Sequence, residues 1–158
     1  MIQRIQSVYL LLAALAGIMT FFLPFAHFLE GDIKLAEYAV FGLFNVQSDV
    51  FESNGPFGFP AWIFSTLQVA IPIVAILLFK NRPLQMKIVR LAFLVNLAFV
   101  VYLFFAVDGL IEDMFSAETE VLYHVGFYMP VVGIAFLFLA IRGIKKDEAL
   151  VKSLDRLR

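Results

Sequence analysis

Two histidines are the residues of this sequence whose type and position could hold a cofactor. His27 stands near the end of one long apolar stretch, and His124 stands near the start of another. Imidazoles at one level on two helices could ligate a haem or a metal ion, although nothing in their spacing enforces it. Histidines beside acidic loops are more often solvated polar ends that bond a nearby carboxylate. We favour that second interpretation.

Two amides, Gln68 and Asn96, are the uncharged polar residues deepest inside the apolar stretches. Polar groups within a membrane cost free energy, so one interpretation is a path for a substrate or a proton. The other is that each amide bonds a neighbouring backbone or side chain where helices pack together. We predict the second, as polar contacts within a helix bundle. A direct bond between the two is not favoured, because they lie at different depths.

Other catalytic apparatus is missing from the sequence. The 158 residues include no Cys, which excludes disulfides, thiol catalysis and cysteine-held metal centres. There is no phosphate-binding glycine loop, no HExxH and no GxSxG motif, and the carboxylates lack the spacing of a calcium loop. No charge lies in the middle of an apolar stretch, which argues against an ion-coupled transporter. We therefore expect no catalytic residue, no metal and no cofactor.

The apolar stretches are the elements that must position these side chains. The chain is 62% hydrophobic and contains nineteen Phe, whereas soluble domains are about 45 to 50% apolar. A bilayer core about 30 Å thick needs roughly 20 apolar residues. Four stretches satisfy this requirement, at about 5–29, 60–79, 87–107 and 122–141. We predict an all-α membrane protein, a single domain built as a four-helix antiparallel transmembrane bundle.

The charges are segregated between the connections. The segments 30–59 and 108–121 contain ten of the thirteen acidic residues and only one base, Lys34. The other eleven of the twelve Lys and Arg lie before the first stretch, between the second and third, or after the fourth. The positive-inside rule assigns that side to the cytoplasm. We predict a multi-pass protein of the bacterial inner membrane with both termini cytoplasmic and with 30–59 and 108–121 as outer loops.

Two polar segments flank these spans. The first outer loop, 30–59, has only partial period-2 alternation, so a small β-hairpin and an irregular loop are equally favoured. The spacing of apolar residues in the cytoplasmic tail, 142–158, predicts an amphipathic C-terminal helix with Leu150, Leu154 and Leu157 on one face. That stripe suits contact with the inner leaflet or with another protein. The alternative is a solvated extension that only fixes orientation.

Small residues four apart mark the faces through which the helices would pack. Helices associate in lipid by close approach and hydrogen bonds, since lipid tails are as apolar as Leu. The signals on the first three stretches are the pairs Ala13 and Gly17, Ala61 and Ser65, and Ala92 and Asn96. We expect these pairs to face inward.

Three segments of the sequence also resemble a known family. The opening MIQRIQSVYLLLA, the inner loop FKNRPLQMKIVR and the ending LAIRGIKKDEALVKSLDRLR are similar to small four-span inner-membrane proteins of Bacteroidota, which are catalogued only as a domain of unknown function. The resemblance covers all four spans and is most specific at the cytoplasmic segments. It implies the fold, the topology and the location, and it carries over no site residue.

The sequence leaves three functions to consider for this protein. The first is a non-catalytic accessory or scaffold protein that docks a partner through its basic cytoplasmic face. The second is a module that binds or transports a lipid, a quinone or another small hydrophobic molecule, and the third is a membrane enzyme or haem protein that uses His27 and His124. We favour the first, because the patterned polar sequence lies on the cytoplasmic side.

The expected partners are membrane lipids and a cytoplasmic or membrane protein, with no nucleic acid, and no pattern indicates an oligomeric state. The residues expected to contact a partner or lipid are Arg4, Lys80, Arg82, Lys87, Arg90, Lys145, Lys146, Leu150, Lys152, Leu154, Arg156, Leu157 and Arg158.

Overall fold

A computed structural model describes residues 3–46, 49–52, 59–114 and 119–155 of the chain. Within these ranges it has four helices and one sheet of five strands. The helices are α1 (Gln3–Met19), α2 (Ala61–Leu77), α3 (Arg82–Met114) and α4 (Val125–Asp155). The strands are β1 (Ala26–Glu30), β2 (Ile33–Ala39), β3 (Gly42–Asn45), β4 (Val50–Glu52) and β5 (Glu120–Tyr123). The prediction of a mostly helical chain is confirmed, and the all-α class is wrong because of the sheet.

Each helix packs against two others, so that α1 and α3 both contact α2 and α4. Gln6 near the start of α1 donates to Asp147 near the end of α4. At the other end, Gly126 in the first turn of α4 lies against the backbone of Leu23 and Pro24, just after α1. These contacts make α1 and α4 antiparallel. By length and composition, α3 and α4 could each cross a membrane, and α1 and α2 are shorter apolar helices.

The buried faces of the helices follow alternating steps of three and four residues. This spacing is the left-handed packing mode of helix bundles. Along α4 the buried positions are Gly126, Pro130, Gly133, Leu137, Ala140, Ile144 and Asp147. Along α2 they are Ala61, Ser65, Gln68, Pro72 and Ala75. The buried faces are therefore rich in small and polar residues, while large apolar side chains point outward.

The five strands form an antiparallel sheet in the order β4–β3–β2–β1–β5. Alternating burial explains β1, because Ala26 and Phe28 are fully buried while His27 and Leu29 are only partly covered. Gly31 joins β1 to β2 with φ 60°, a left-handed conformation that glycine adopts without strain. The loop 30–59 thus contains three antiparallel strands in its described part, so the predicted hairpin is present as part of a larger sheet and the irregular loop is wrong.

The sheet shortens two of the predicted spans. Helix α1 ends at Met19, because tight turns at Phe21 and Phe22 and then Pro24, which has no amide hydrogen, stop the helix before 29. The stretch 122–141 begins as β5, and α4 starts at Val125. The outer loop predicted to begin at 108 is helical through Met114. Consequently His27 lies on a strand and not at the end of a spanning helix.

Two apolar cores lie one above the other along the helices. One joins the buried face of the sheet to α3 through Phe25, Phe28, Tyr38, Phe99 and Leu103. We call that half of the molecule the sheet end. The other core joins all four helices at their opposite ends and includes Leu10, Ala75, Val89, Leu137 and Ile144. The sheet end therefore rests on the helices as a packed cap.

Candidate functional site

The basic residues predicted to bind a partner meet at the end of the molecule opposite the sheet. Met86 near the start of α3 and Ile144 near the end of α4 belong to the same core, so the bases beside them share one end. We call it the basic end. Its described basic side chains are exposed or partly exposed, and they are Lys80, Arg82, Lys87, Arg90, Arg142, Lys145 and Lys146. This arrangement gives a positively charged surface, and none of the basic side chains that the structure describes is buried in the core.

The rest of the predicted contact set is only partly described. Arg156, Leu157 and Arg158 lie outside the described residues, and the structure describes the backbone but not the side chains of Arg4, Leu150, Lys152 and Leu154. The backbone of α4 continues without a break through Asp155. From 142 to 155 the predicted amphipathic tail is therefore the last turns of α4 and not a separate helix.

A groove runs between α1 and α4 at the basic end. Its volume is about 600 Å³, and it is lined by Ile5, Gln6, Tyr9, Leu139, Arg142, Gly143, Lys145 and Lys146. Behind it the Gln6 amide donates to the Asp147 carboxylate, and both side chains are buried. This pair was not predicted from the sequence. Asp147 continues the steps of three and four residues from Leu137, Ala140 and Ile144, and that spacing was the available signal.

A layer of polar side chains separates the two cores. It consists of Ser65 and Gln68 on α2 and Asn96 on α3, each at most 1% exposed. Asn96 donates to the Ala92 carbonyl at 3.0 Å. Asn96 Oδ1, Ser65 Oγ and both polar atoms of the Gln68 amide have no hydrogen-bond partner among the described protein groups. The predicted internal bond therefore exists for Asn96, while Gln68 packs without one.

Gly133 of α4 brings the two amides to one place. A Cβ at Gly133 would lie 2.8 Å from Asn96 Oδ1 and 2.9 Å from Gln68 Nε2. The three helices therefore meet at a point where only glycine leaves room for the amides. The structure brings Gln68 and Asn96 to one level, so the different depths expected from the sequence are wrong, although no direct hydrogen bond joins the two amides.

His27 and His124 come together at the sheet end. Their ring centroids are 3.8 Å apart, and the ring planes are inclined by 47°. His27 Nε2 lies 3.3 Å from Glu37 Oε2, its cross-strand partner on β2, and Lys34 donates to the same carboxylate oxygen. The rings are too close for a porphyrin to enter between them. Within the described residues, no group of three or more His, Cys, Asp or Glu side chains could hold a metal ion.

The neighbours of this pair shift two pKa values. Burial, followed by the charges of Lys34 and His124, holds the pKa of His27 below its usual value, against the opposing effect of Glu37. Burial raises the pKa of Glu37, but the hydrogen bond and the charge of Lys34 outweigh it, so that pKa is lowered. The cluster therefore favours neutral His27 beside ionised Glu37.

An aromatic cleft opens between α2 and α3 near the sheet end. Its volume is about 510 Å³, and Phe59, Phe64, Tyr102 and Phe105 line it. The rings of Phe64 and Tyr102 stack at 5.0 Å, and the Tyr102 hydroxyl donates to the Phe59 carbonyl. Since that hydroxyl is engaged, the four described residues that line the cleft offer aromatic faces and no free polar group to orient a ligand.

Comparison with known proteins supplies the family. No curated protein matches the chain. The family model DUF4293, described as a domain of unknown function, matches residues 2–157. The match spans both the helices and the sheet, and its description assigns no activity and no site. The chain belongs to the DUF4293 family.

Proposed function

We propose that this chain is an integral protein of the bacterial inner membrane that crosses it four times. In this proposal both termini and the basic end lie in the cytoplasm, and the sheet end lies outside. The protein acts as a non-catalytic accessory or scaffold protein that docks a partner through the basic end.

The outward faces of the helices support membrane insertion. Leu77 is 71% exposed, Leu94 60% and Phe105 59%, and many more large apolar side chains point outward on all four helices. Monomeric soluble proteins rarely expose a contiguous apolar surface of this extent. The inward faces carry small and polar residues, which is the pattern of helices that associate within lipid.

The apolar segments of the four helices have similar lengths. Helix α2 is 17 residues long, and the apolar part of α1, Ile5–Met19, is 15 residues long. The uncharged stretches of α3 and α4, 91–107 and 125–141, are seventeen residues long. At 1.5 Å per residue three of the segments are about 25 Å long, at the short end of the range for a spanning helix, and that of α1 is about 22 Å long. Similar lengths favour a common apolar layer.

The two ends favour the same orientation. The edges of a sheet expose unpaired backbone groups, which the hydrocarbon core does not tolerate, so the sheet end fits outside the bilayer. The basic end then faces the cytoplasm by the positive-inside rule.

The observation that carries the docking proposal is the length of α4. Beyond Ile141 the helix continues from 142 to 155, which is about 20 Å at 1.5 Å per residue. A helix that projects straight on from a span stands away from the leaflet, and its apolar stripe gains nothing in water. A groove in a protein that accepts one face of a helix is the partner that fits this projection.

A pair of tail variants tests docking. Replacing Leu150, Leu154 and Leu157 by Ser removes the stripe and keeps every charge. The control replaces Glu148 and Lys152 by Gln, which leaves the net charge and the stripe unchanged. We expect a stoichiometric protein to crosslink and co-purify with the wild type and the control, and to be lost from the stripe variant. Equal recovery with all three chains would leave the tail as an orientation anchor and refute docking.

A second candidate function rests on the aromatic cleft. Its volume of about 510 Å³ lies in the range of small-ligand sites, and its aromatic faces suit a flat apolar ring such as that of a quinone. Native mass spectrometry of the protein purified in its own lipids tests this candidate. A bound quinone that is lost in Phe105→Ala and kept in Phe104→Ala would support it, and the absence of any bound quinone would reject it.

A further inference from the structure

The groove at the basic end combines an apolar floor with a cationic rim. Ile5 and Tyr9 of α1 and Leu139 of α4 form the floor, while Arg142 and Lys146 stand on the rim with Lys145. Ile5 is 54% exposed and Leu139 is 38% exposed, so the floor is open to the surroundings of the helices. Within the described part of the chain, no ion pair involves any of the three rim cations.

The sequence builds this groove by helical spacing. Leu139, Arg142, Gly143 and Lys146 stand at steps of three, four and seven residues, which places them on one face of α4. Gly143 lets α1 and α4 approach closely beside the groove, because a Cβ there would lie 3.1 Å from Gln6 Cγ. The acidic neighbour Asp147 is turned inward, 5% exposed and bonded by Gln6, so its carboxylate is not on the rim.

The rim stands at the boundary between the apolar and charged parts of α4. The Arg142 guanidinium lies 5.9 Å from the centre of the Phe138 ring, over the last apolar turn. Below this level the helix is uncharged back to Val125, and above it Lys145 and Lys146 follow. In a bilayer this boundary is the level of the lipid headgroups.

We infer that the groove between α1 and α4 binds an anionic phospholipid of the cytoplasmic leaflet. The phosphate lies among the rim cations, and the glycerol and the first carbons of a chain lie on the floor. Charge complementarity selects this occupant, because three cations beside apolar surface match an anionic headgroup above an acyl chain. The inference rests on the membrane placement and orientation proposed above, and it does not depend on docking of a protein.

The test uses the full-length protein in nanodiscs that contain phosphatidylglycerol and phosphatidylcholine. Native mass spectrometry measures how much phosphatidylglycerol each variant retains. The groove variant carries Arg142→Gln and Lys146→Gln, and the control carries Lys87→Gln and Arg90→Gln, which remove the same charge from α3. General attraction of bases to an anionic leaflet predicts equal losses in the two variants. A site in the groove predicts a loss at least tenfold larger in the groove variant.

Three results would overturn the inference. The first is an equal loss of bound phosphatidylglycerol in the two variants. The second is equal retention of phosphatidylcholine and phosphatidylglycerol by the wild type. The third is that a co-purified protein, and not lipid, protects Lys145 and Lys146 from chemical acetylation. A separate control distinguishes failure of the membrane proposal. Labelling of Leu84→Cys by a membrane-impermeant maleimide in spheroplasts and in inverted vesicles reports insertion and orientation, so a loss of lipid selectivity with insertion intact refutes the groove alone.

Discussion

The side-chain amide of Gln68 packs against the backbone of Gly133, where an added Cβ would lie 2.9 Å from Nε2. This contact places an amide, rather than an apolar side chain, at the level where the two cores meet. Glycines and polar groups thus determine how the helices pack against one another, and the substitutions below should change stability accordingly.

Alanine substitutions of three glycines in α4 should destabilise the protein in a fixed order. At Gly126 the new Cβ would lie 2.4 Å from the Pro24 carbonyl oxygen, which is backbone and cannot move aside. At Gly133 it would meet the amides of Asn96 and Gln68 at 2.8 and 2.9 Å, and at Gly143 the nearest atom, Gln6 Cγ, would be 3.1 Å away. Overpacking costs about 1 to 3 kcal/mol, partly offset by the higher helix propensity of Ala. Thermal unfolding in detergent should rank the losses as Gly126, then Gly133, then Gly143, and a larger loss at Gly143 would contradict these contacts.

Two buried glutamines should respond differently to replacement by Leu. Gln85 donates to the Ala75 carbonyl at 3.0 Å, so Gln85→Leu leaves a buried carbonyl without its partner and should cost about 1 to 3 kcal/mol. The Gln68 amide has no partner among the described protein groups, so Gln68→Leu removes a buried polar group and should cost less or stabilise the fold. Midpoints of unfolding in mixed detergent measure both. A loss for Gln68→Leu as large as for Gln85→Leu would show that the Gln68 amide is satisfied.

Acid should weaken the sheet end through His27 and Glu37. The pKa of His27 is lowered from the reference value of 6.5, so the unfolded chain binds more protons, and the free energy of unfolding falls as the pH drops below about 6.5. The pKa of Glu37 is also lowered, and its contribution is lost as the pH falls below about 4.5. The melting temperature of the wild type should therefore fall between about pH 7.5 and pH 5.5 by more than that of His27→Gln. An equal fall of the melting temperature in the wild type and in His27→Gln would exclude His27 as the cause.

Phe99 should be the most costly aromatic side chain to remove from the sheet end. It is fully buried, stacks on Phe64 at 5.4 Å and meets the edge of Phe25 at 5.9 Å, so it joins α2, α3 and the residue before β1. Phe99→Ala should cost about 3 to 5 kcal/mol, because the cavity forfeits these contacts. Phe104 is 53% exposed on the same helix, and Phe104→Ala is the matched control. Similar losses from the two variants in thermal unfolding would mean that Phe99 is not the link.

Local spacing made much of the helical packing predictable. Ala13, Ala61 and Ser65 were expected on inward faces and are at most 2% exposed. Ala92 and Asn96 were also expected on an inward face, and they are at most 1% exposed. A residue four positions along a helix lies on the same face, so such pairs can be identified without knowledge of the fold.

The sheet could not be predicted from local spacing in the same way, because its strands pair over long distances in the sequence. Strand β1 follows α1 after six residues within the same apolar stretch, so composition alone continues the helix past Met19. The strand exists because Ala26 pairs with Tyr38 on one side and with Tyr123 on the other. A partner so distant in sequence leaves no local signal. The contact of His27 with His124 follows from the same strand pairing, and the sequence around neither residue predicts it.

The central claim, membrane insertion with the basic end in the cytoplasm, is tested most directly by labelling single cysteines. The chain contains no Cys, so Asp49→Cys at the sheet end and Leu84→Cys at the basic end each give one reactive site, and both positions are exposed. A membrane-impermeant maleimide should label Asp49→Cys in spheroplasts and Leu84→Cys only in inverted vesicles. Labelling of Leu84→Cys from outside, or recovery of both variants in the soluble fraction, would contradict the account.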